Sequence, residues 1–126
     1  MTDNPFAVAV AVAVFTDEPK REVHRTLDAE RVVSGDPQHH TRFFFESEDG
    51  ALVSGTWTST PGKWHAFTDR DEFCYIVSGH CRLIDDKGFT REFRSGDAFL
   101  IPNGFRGFWD VIETTTKHFV IRSHEP

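Results

Sequence analysis

At 126 residues with a formal net charge of −6, the chain is sized for one domain whose core needs no covalent staples. It lacks the basic excess that a nucleic-acid backbone demands of a binder. Thirteen Phe and three Trp against one Tyr and one Met load the core with rings, each burying on the order of 150–250 Å².

The chain opens with an alternating run, Phe6 to Phe15, of Ala and Val between two Phe. Period two with Val predicts a strand, one that adds to a sheet edge of this chain or of a second copy. The run is too short to span a bilayer, and no membrane partner is expected. The preceding "MTDNP" carries no positive charge, so a secretory signal is not expected either. Residues 16–42 are polar and read as loops around short elements, with His39-His40 a solvated pair in one of them. Residues 1–31 are therefore expected to form an arm of strand and loop for edge pairing or a dimer contact, and residues 32–126 the barrel. From there strand signals follow quickly: "TRFFFES", "ALVSGTWTS", "WHAF", "EFCYIVS", "CRLID", "REF", "DAFLIP", "FRGFWDV" and "KHFVIR". Turn signals separate them, among them "EDG", "TPGK", "SG", "DDKG", "RSGD" and "PNG". Short strands at this spacing predict an antiparallel sandwich or barrel. A hairpin about Ser78-Gly79 would put Cys74 and Cys81 on one face, diagonal to each other and poorly placed for a disulfide. Two reduced thiols suit a cytoplasmic protein.

Two motifs stand in order. Glu72 is followed by six residues and Gly79 in "EFCYIVSG", and Gly96 by five residues, Pro102 and Gly104 in "GDAFLIPNG", with sixteen residues between Gly79 and Gly96. Together with "GTWTSTPGKW" and "PNGFRGFW" they resemble the cupin superfamily, and within it the small single-domain branch of the ethanolamine-utilisation protein Q and ureidoglycine aminohydrolase types. The resemblance spans about residues 32–122 and implies an all-β, RmlC-like jelly-roll cupin barrel in a single domain, paired as a homodimer.

In typical cupins a metal is held by two alternate histidines, a glutamate and a third histidine after the second motif. Carried over, those positions are His65, Phe67, Glu72 and Gly107. Two of the four have no donor, whereas a divalent ion wants three or more protein ligands. No metal site is therefore expected. The alternative is a divalent ion at His65 and Glu72 with a further ligand from His118, His39 or His40. Gly107 is expected to leave a gap for water or substrate.

If Glu72 points into the barrel as the resemblance implies, alternation puts Cys74 and Ile76 there too. The same reasoning places His65 with Phe67, and Trp109 beside Gly107, with Trp57 nearby. The expected pocket is an apolar cup of Phe67, Cys74, Ile76, Trp109 and Trp57 around Glu72 and His65, the make-up of a small-ligand site. Burial would raise the Glu72 pKa, and Glu72 with His65 would serve as an acid–base couple or as a structural pair tying two strands. Arg106 stands where it would meet an anion at the mouth or face solvent. The leading reading is a metal-poor or metal-free binder of a small polar metabolite. The others are a metal-dependent hydrolase, lyase or isomerase with a reduced ligand set, and a non-catalytic assembly protein.

Overall fold

A computed structural model describes residues 11–124. Strands β1 (Arg21–Thr26), β2 (Val32–Gly35), β3 (Gln38–Glu46), β4 (Leu52–Ser59) and β5 (Gly62–Phe67) are followed by β6 (Arg70–Asp85), β7 (Thr90–Arg94), β8 (Ala98–Ile101) and β9 (Arg106–Ser123). One 3₁₀ turn, Ala29–Arg31, joins β1 to β2, and there is no α-helix among the described residues. The strands form one continuous nine-stranded antiparallel sheet.

Two long strands turn that sheet into a barrel. The first half of β6 pairs with the last half of β9 and with β8, while its second half pairs with the first half of β9 and with β7. β9 then carries β4, β3 and β1 on its far half and β5 and β2 on its near half. The sheet thus folds over along β6 and β9, and its two halves close on a shared core. Cys74, Ile76, Cys81, Leu83, Trp64, Ala66, Trp109, Val111, Ile101 and Phe93 make up that core.

The expected hairpin about Ser78-Gly79 is not a hairpin. β6 runs through both residues, and the fold-over is a series of register shifts against β9 between Ile76 and Cys81. Gly79, at φ 108°, sits at that bend. A β-carbon there would come within 2.4 Å of the Thr114 carbonyl oxygen, so only glycine lets the strands approach. The extra residues of the bulge reset the alternation, which is how Cys74 and Cys81 both point inward, as free buried thiols. The other turns follow the sequence reading: Ser95-Gly96-Asp97 links β7 to β8, closed by the Arg94 amide donating to Asp97 Oδ2 at 2.8 Å. Pro102-Asn103-Gly104 separates β8 from β9.

The strand expected over residues 6–15 lies mostly outside the described residues. Residues 11–14 carry no strand, and Phe15 stacks on Phe44 at 5.1 Å between centroids. Within the expected arm of residues 1–31, β1 is an edge strand of the barrel's own sheet, paired along its length with β3.

Candidate functional site

One cavity of about 370 Å³ opens between the two halves of the barrel. Its wall is built from residues directly opposite one another in neighbouring strands, which share a face. Thr41 of β3 faces Trp57 of β4, and Trp57 faces Lys117 of β9. Lys117 in turn faces Ile76 of β6, and Ile121 faces Glu72. On the other half, Trp64 of β5 faces Trp109 of β9. All three tryptophans of the chain meet here, with ring centroids 5.6–6.4 Å apart.

Glu72 and Lys117 stand among these rings, 7 % and 4 % exposed. Lys117 Nζ donates to Glu72 Oε2 at 2.7 Å and lies 4.4 Å from the ring centroids of both Trp57 and Trp109. Cys74 Sγ donates to the same carboxylate oxygen at 3.4 Å. Burial alone would raise the Glu72 pKa, but the Lys117 ammonium, its hydrogen bond and that of Cys74 outweigh burial and hold it below the ordinary carboxylate value. This reverses the raised value expected from the sequence. Burial disfavours the Lys117 ammonium, and the neighbouring Cys74 and Glu72 more than offset it, so its pKa lies above the usual value. At neutral pH only Glu72 of those two is charged, because burial pushes the Cys74 thiol far up and the Cys81 thiol up to about 11. Neither thiol is an activated nucleophile.

His39 supplies a third polar group. It is in a strand, not a loop, and its ring packs at 5.0 Å from Trp57 and 4.8 Å from Trp64. Burial, then the charges of Lys117, Arg31 and Arg25, bring its pKa down to about 4. Its Nε2 is buried without a hydrogen-bond partner in the structure, an uncommon state for a buried polar atom. The neutral ring is favoured in the folded state, whereas the unfolded chain takes up a proton near the ordinary histidine value of 6.5. Folding stability from His39 is therefore complete above about pH 6.5 and declines as the pH falls toward 4. Allowing for its partial exposure, the loss should be on the order of 1–2 kcal/mol. Urea unfolding of His39→Gln against the unaltered chain across that window measures it. A difference that does not change with pH would refute the assignment.

Of the residues expected in the pocket, Glu72, Cys74, Ile76 and Trp109 are buried on the inner face and Trp57 is half-buried in the cavity wall. His65 and Phe67 are not where the sequence reading put them. Both are exposed, Phe67 by 57 %, and the inward residues of β5 are Trp64 and Ala66. The reason is the register with β9: Trp64 opposite Trp109 buries two indoles at once, and it sends His65 out against Phe108. His65 therefore meets neither Glu72 nor the cavity, and its carbonyl accepts from Arg31 Nη2 at 3.0 Å. Phe67 is retained only at the rim, under the Arg31 guanidinium at 4.9 Å. Arg106 is exposed near the outer side of Phe67, outside the main cavity.

The same placement bears on the metal alternative. His65 and Glu72 face opposite sides of the wall. His118 points to the outer face, bonded to Thr56 at 2.8 Å, and His40 pairs with Glu22 at 2.7 Å. Among the described residues no three His, Cys, Asp or Glu converge. These residues do not fit a divalent ion at Glu72; the cation held by that carboxylate is the Lys117 ammonium. Nor does Gly107 leave a gap inside the barrel; it borders only the outer depression shared with His65, Phe67 and Arg106. A β-carbon there would fall 1.9 Å from the Ile84 carbonyl oxygen of β6.

The family model for the EutQ-like cupin domain matches residues 46–119. The chain belongs to that family. Comparison with curated proteins returns no match. Among solved structures this cupin resembles a protein of unknown function of the DUF861 family from Pseudomonas syringae pv. tomato, with a TM-score of 0.73 and 20 % identity. That likeness covers 83 % of this chain but 46 % of the other, so this cupin spans under half of its length. The EutQ protein of Clostridium difficile matches at TM-score 0.61 and 19 % identity, covering 79 % of this chain and 80 % of that one. A putative ethanolamine utilization protein Q of Salmonella typhimurium matches at 0.63 and 12 %, covering 83 % and 98 %. At these identities the likeness concerns the fold.

Sequence reasoning missed Lys117, Trp64 and the arginines of the cavity, and weighed His39 only as a solvated residue or a further metal ligand. Lys117 alternates with Phe119 and Ile121, both buried, so its place on the inner face of β9 was written in the pattern. His39 gave no comparable signal, because its neighbours on β3 are polar.

Proposed function

We propose that this cupin binds a small metabolite in its barrel cavity and works there through organic groups, with the Glu72–Lys117 pair as its reactive couple. The observation that supports this reading is the placement of that buried pair in the wall of a ring-lined cavity. A carboxylate accepts a proton and an ammonium donates one or steadies developing negative charge. Held 2.7 Å apart, they present both functions to a bound molecule within one hydrogen-bond length. With Glu72 held below and Lys117 above their usual pKa values, the pair stays charged at neutral pH, and polarising a bound carbonyl or steadying an enolate is the chemistry it serves best. The cavity volume is at the small end of ligand pockets.

A thermal-shift screen of metabolites is the test, since a compound that binds only the folded state raises its melting temperature. The control is the Glu72→Leu/Lys117→Met double variant, in which the charged couple is replaced by apolar side chains of similar bulk. Hits are expected to stabilise the unaltered chain, to leave the double variant unmoved, and to exchange a carbon-bound proton for deuterium only with the former. A screen in which no compound discriminates between the two proteins would overturn the reading.

Assembly is a second reading, favoured by the outer face of the same sheet. Phe73 and Tyr75 of β6, Leu100 of β8 and Val120 of β9 share that face, each exposed by 40–59 %. A contiguous apolar strip of this kind suits a homodimer. Phe73→Glu is expected to shift the mass read by light scattering to that of one chain.

A further inference from the structure

The cavity is far more basic than the chain that contains it. The chain carries a net charge of −6, yet Arg21, Arg25, Arg31, Arg70 and Lys117 line the cavity against one carboxylate, Glu72. That carboxylate is already neutralised by Lys117. Arg21 is committed to Glu46 through hydrogen bonds of 3.1 and 3.3 Å, and Arg31 is anchored by the His65 carbonyl with its charge intact. Arg25 and Arg70 have no side-chain hydrogen-bond partner among the described residues. The charges act on the interior: Arg25, Arg31 and Lys117 all bear on His39, and Arg70 bears on Glu72. A low-dielectric cup lined by one sign of charge concentrates ligands of the other sign.

Apart from Thr41, Thr68 and His39, the rest of the wall is apolar. Trp57, Trp64, Trp109, Phe119, Val53 and Ile121 offer surface for a flat, water-averse body, and the unpartnered Nε2 of His39 offers one directional hydrogen bond. Resting on the reading of the cavity as a binding site, we infer that its ligand is a small organic carboxylate with a planar or unsaturated apolar body, the anion held by the arginines and the body lying among the tryptophans.

Isothermal titration calorimetry at low ionic strength with benzoate, benzamide and benzylammonium tests this, since the three share a ring and differ in charge. Benzoate is expected to bind about tenfold or more tightly than benzamide, and benzylammonium not at all, as a charge-assisted contact outweighs a neutral one. The Arg25→Gln/Arg70→Gln variant is expected to lose about tenfold in benzoate affinity with its melting temperature unchanged, because both side chains are exposed. Equal affinity for benzoate and benzamide would overturn the inference and leave the binding site standing. So would neutral metabolites stabilising the protein while no anion does. If no small molecule of any charge binds, the binding site itself falls and the inference with it.

Discussion

Lys117→Met is expected to lower the stability of this cupin by about 3–5 kcal/mol, because it strands a buried carboxylate without its cation. Glu72 is flanked by Cys74, Ile101 and Ile121 and is only 7 % exposed, so water from the cavity replaces Nζ only in part. Glu72→Leu should cost a similar amount by stranding the ammonium. The double variant Glu72→Leu/Lys117→Met should recover most of the loss, since an apolar pair of like volume has no charge to desolvate. The coupling shows itself in pH as well. The folded carboxylate titrates below its usual value, so its contribution is present above about pH 4.5 and is lost as the pH falls through the folded pKa. The ammonium titrates above its usual value, so its contribution holds below about pH 10.5 and is lost as the pH rises through the folded pKa. The double variant should therefore have a flatter stability profile than the unaltered chain at both extremes. Single variants as stable as the unaltered chain would mean that the pair is not formed.

Gly107→Ala should be nearly as damaging, by about 3 kcal/mol, at the upper end of overpacking costs. Gly107 lies between Ala66 of β5 and Asp85 of β6, and its new β-carbon would overlap the Ile84 carbonyl oxygen. That oxygen belongs to a strand paired on both sides and cannot swing away as a side chain would. The three-strand seam of β5, β9 and β6 has to part, and with it the register that holds Trp64 against Trp109. Chemical unfolding measures the loss, and ligand affinity should fall in parallel as the cavity wall shifts. A fully stable Gly107→Ala protein would show that the strands lie further apart than described.

The strands were legible where one face is apolar. β4, β5, β7 and β8 correspond to single segments picked out by alternation. β6 and β9 each appeared as two, because the register shifts at the fold-over break the period and leave no apolar residue to carry it across. β1 was not legible at all: its sequence "REVHRT" is exposed but for Val23, and its inner face carries Arg21 and Arg25 into a cavity rather than side chains into a core. The cup itself was half legible. Glu72, Cys74, Ile76 and Trp109 followed from alternation within a single strand. His65 failed because its facing was carried over from the metal-ligand positions of typical cupins, whereas the register of β5 with β9 turns Trp64 inward instead. The residues that matter most electrostatically, Lys117 and the arginines, were passed over because a lone cation in a strand is by default assigned to solvent. Here the burial of Phe119 and Ile121 on the same face of β9 is the stronger fact.

The distribution of chromophores gives the two faces of one sheet separate optical signatures. Every tryptophan of the chain lines the interior, whereas its single tyrosine, Tyr75, lies on the outer surface beside His118. Indole emission thus reports events inside the cup, and the absorbance of the phenol reports whatever approaches from outside. Occupancy of the interior can be followed by indole emission, and association between copies by the absorbance of the single outer phenol, in the same unlabelled sample.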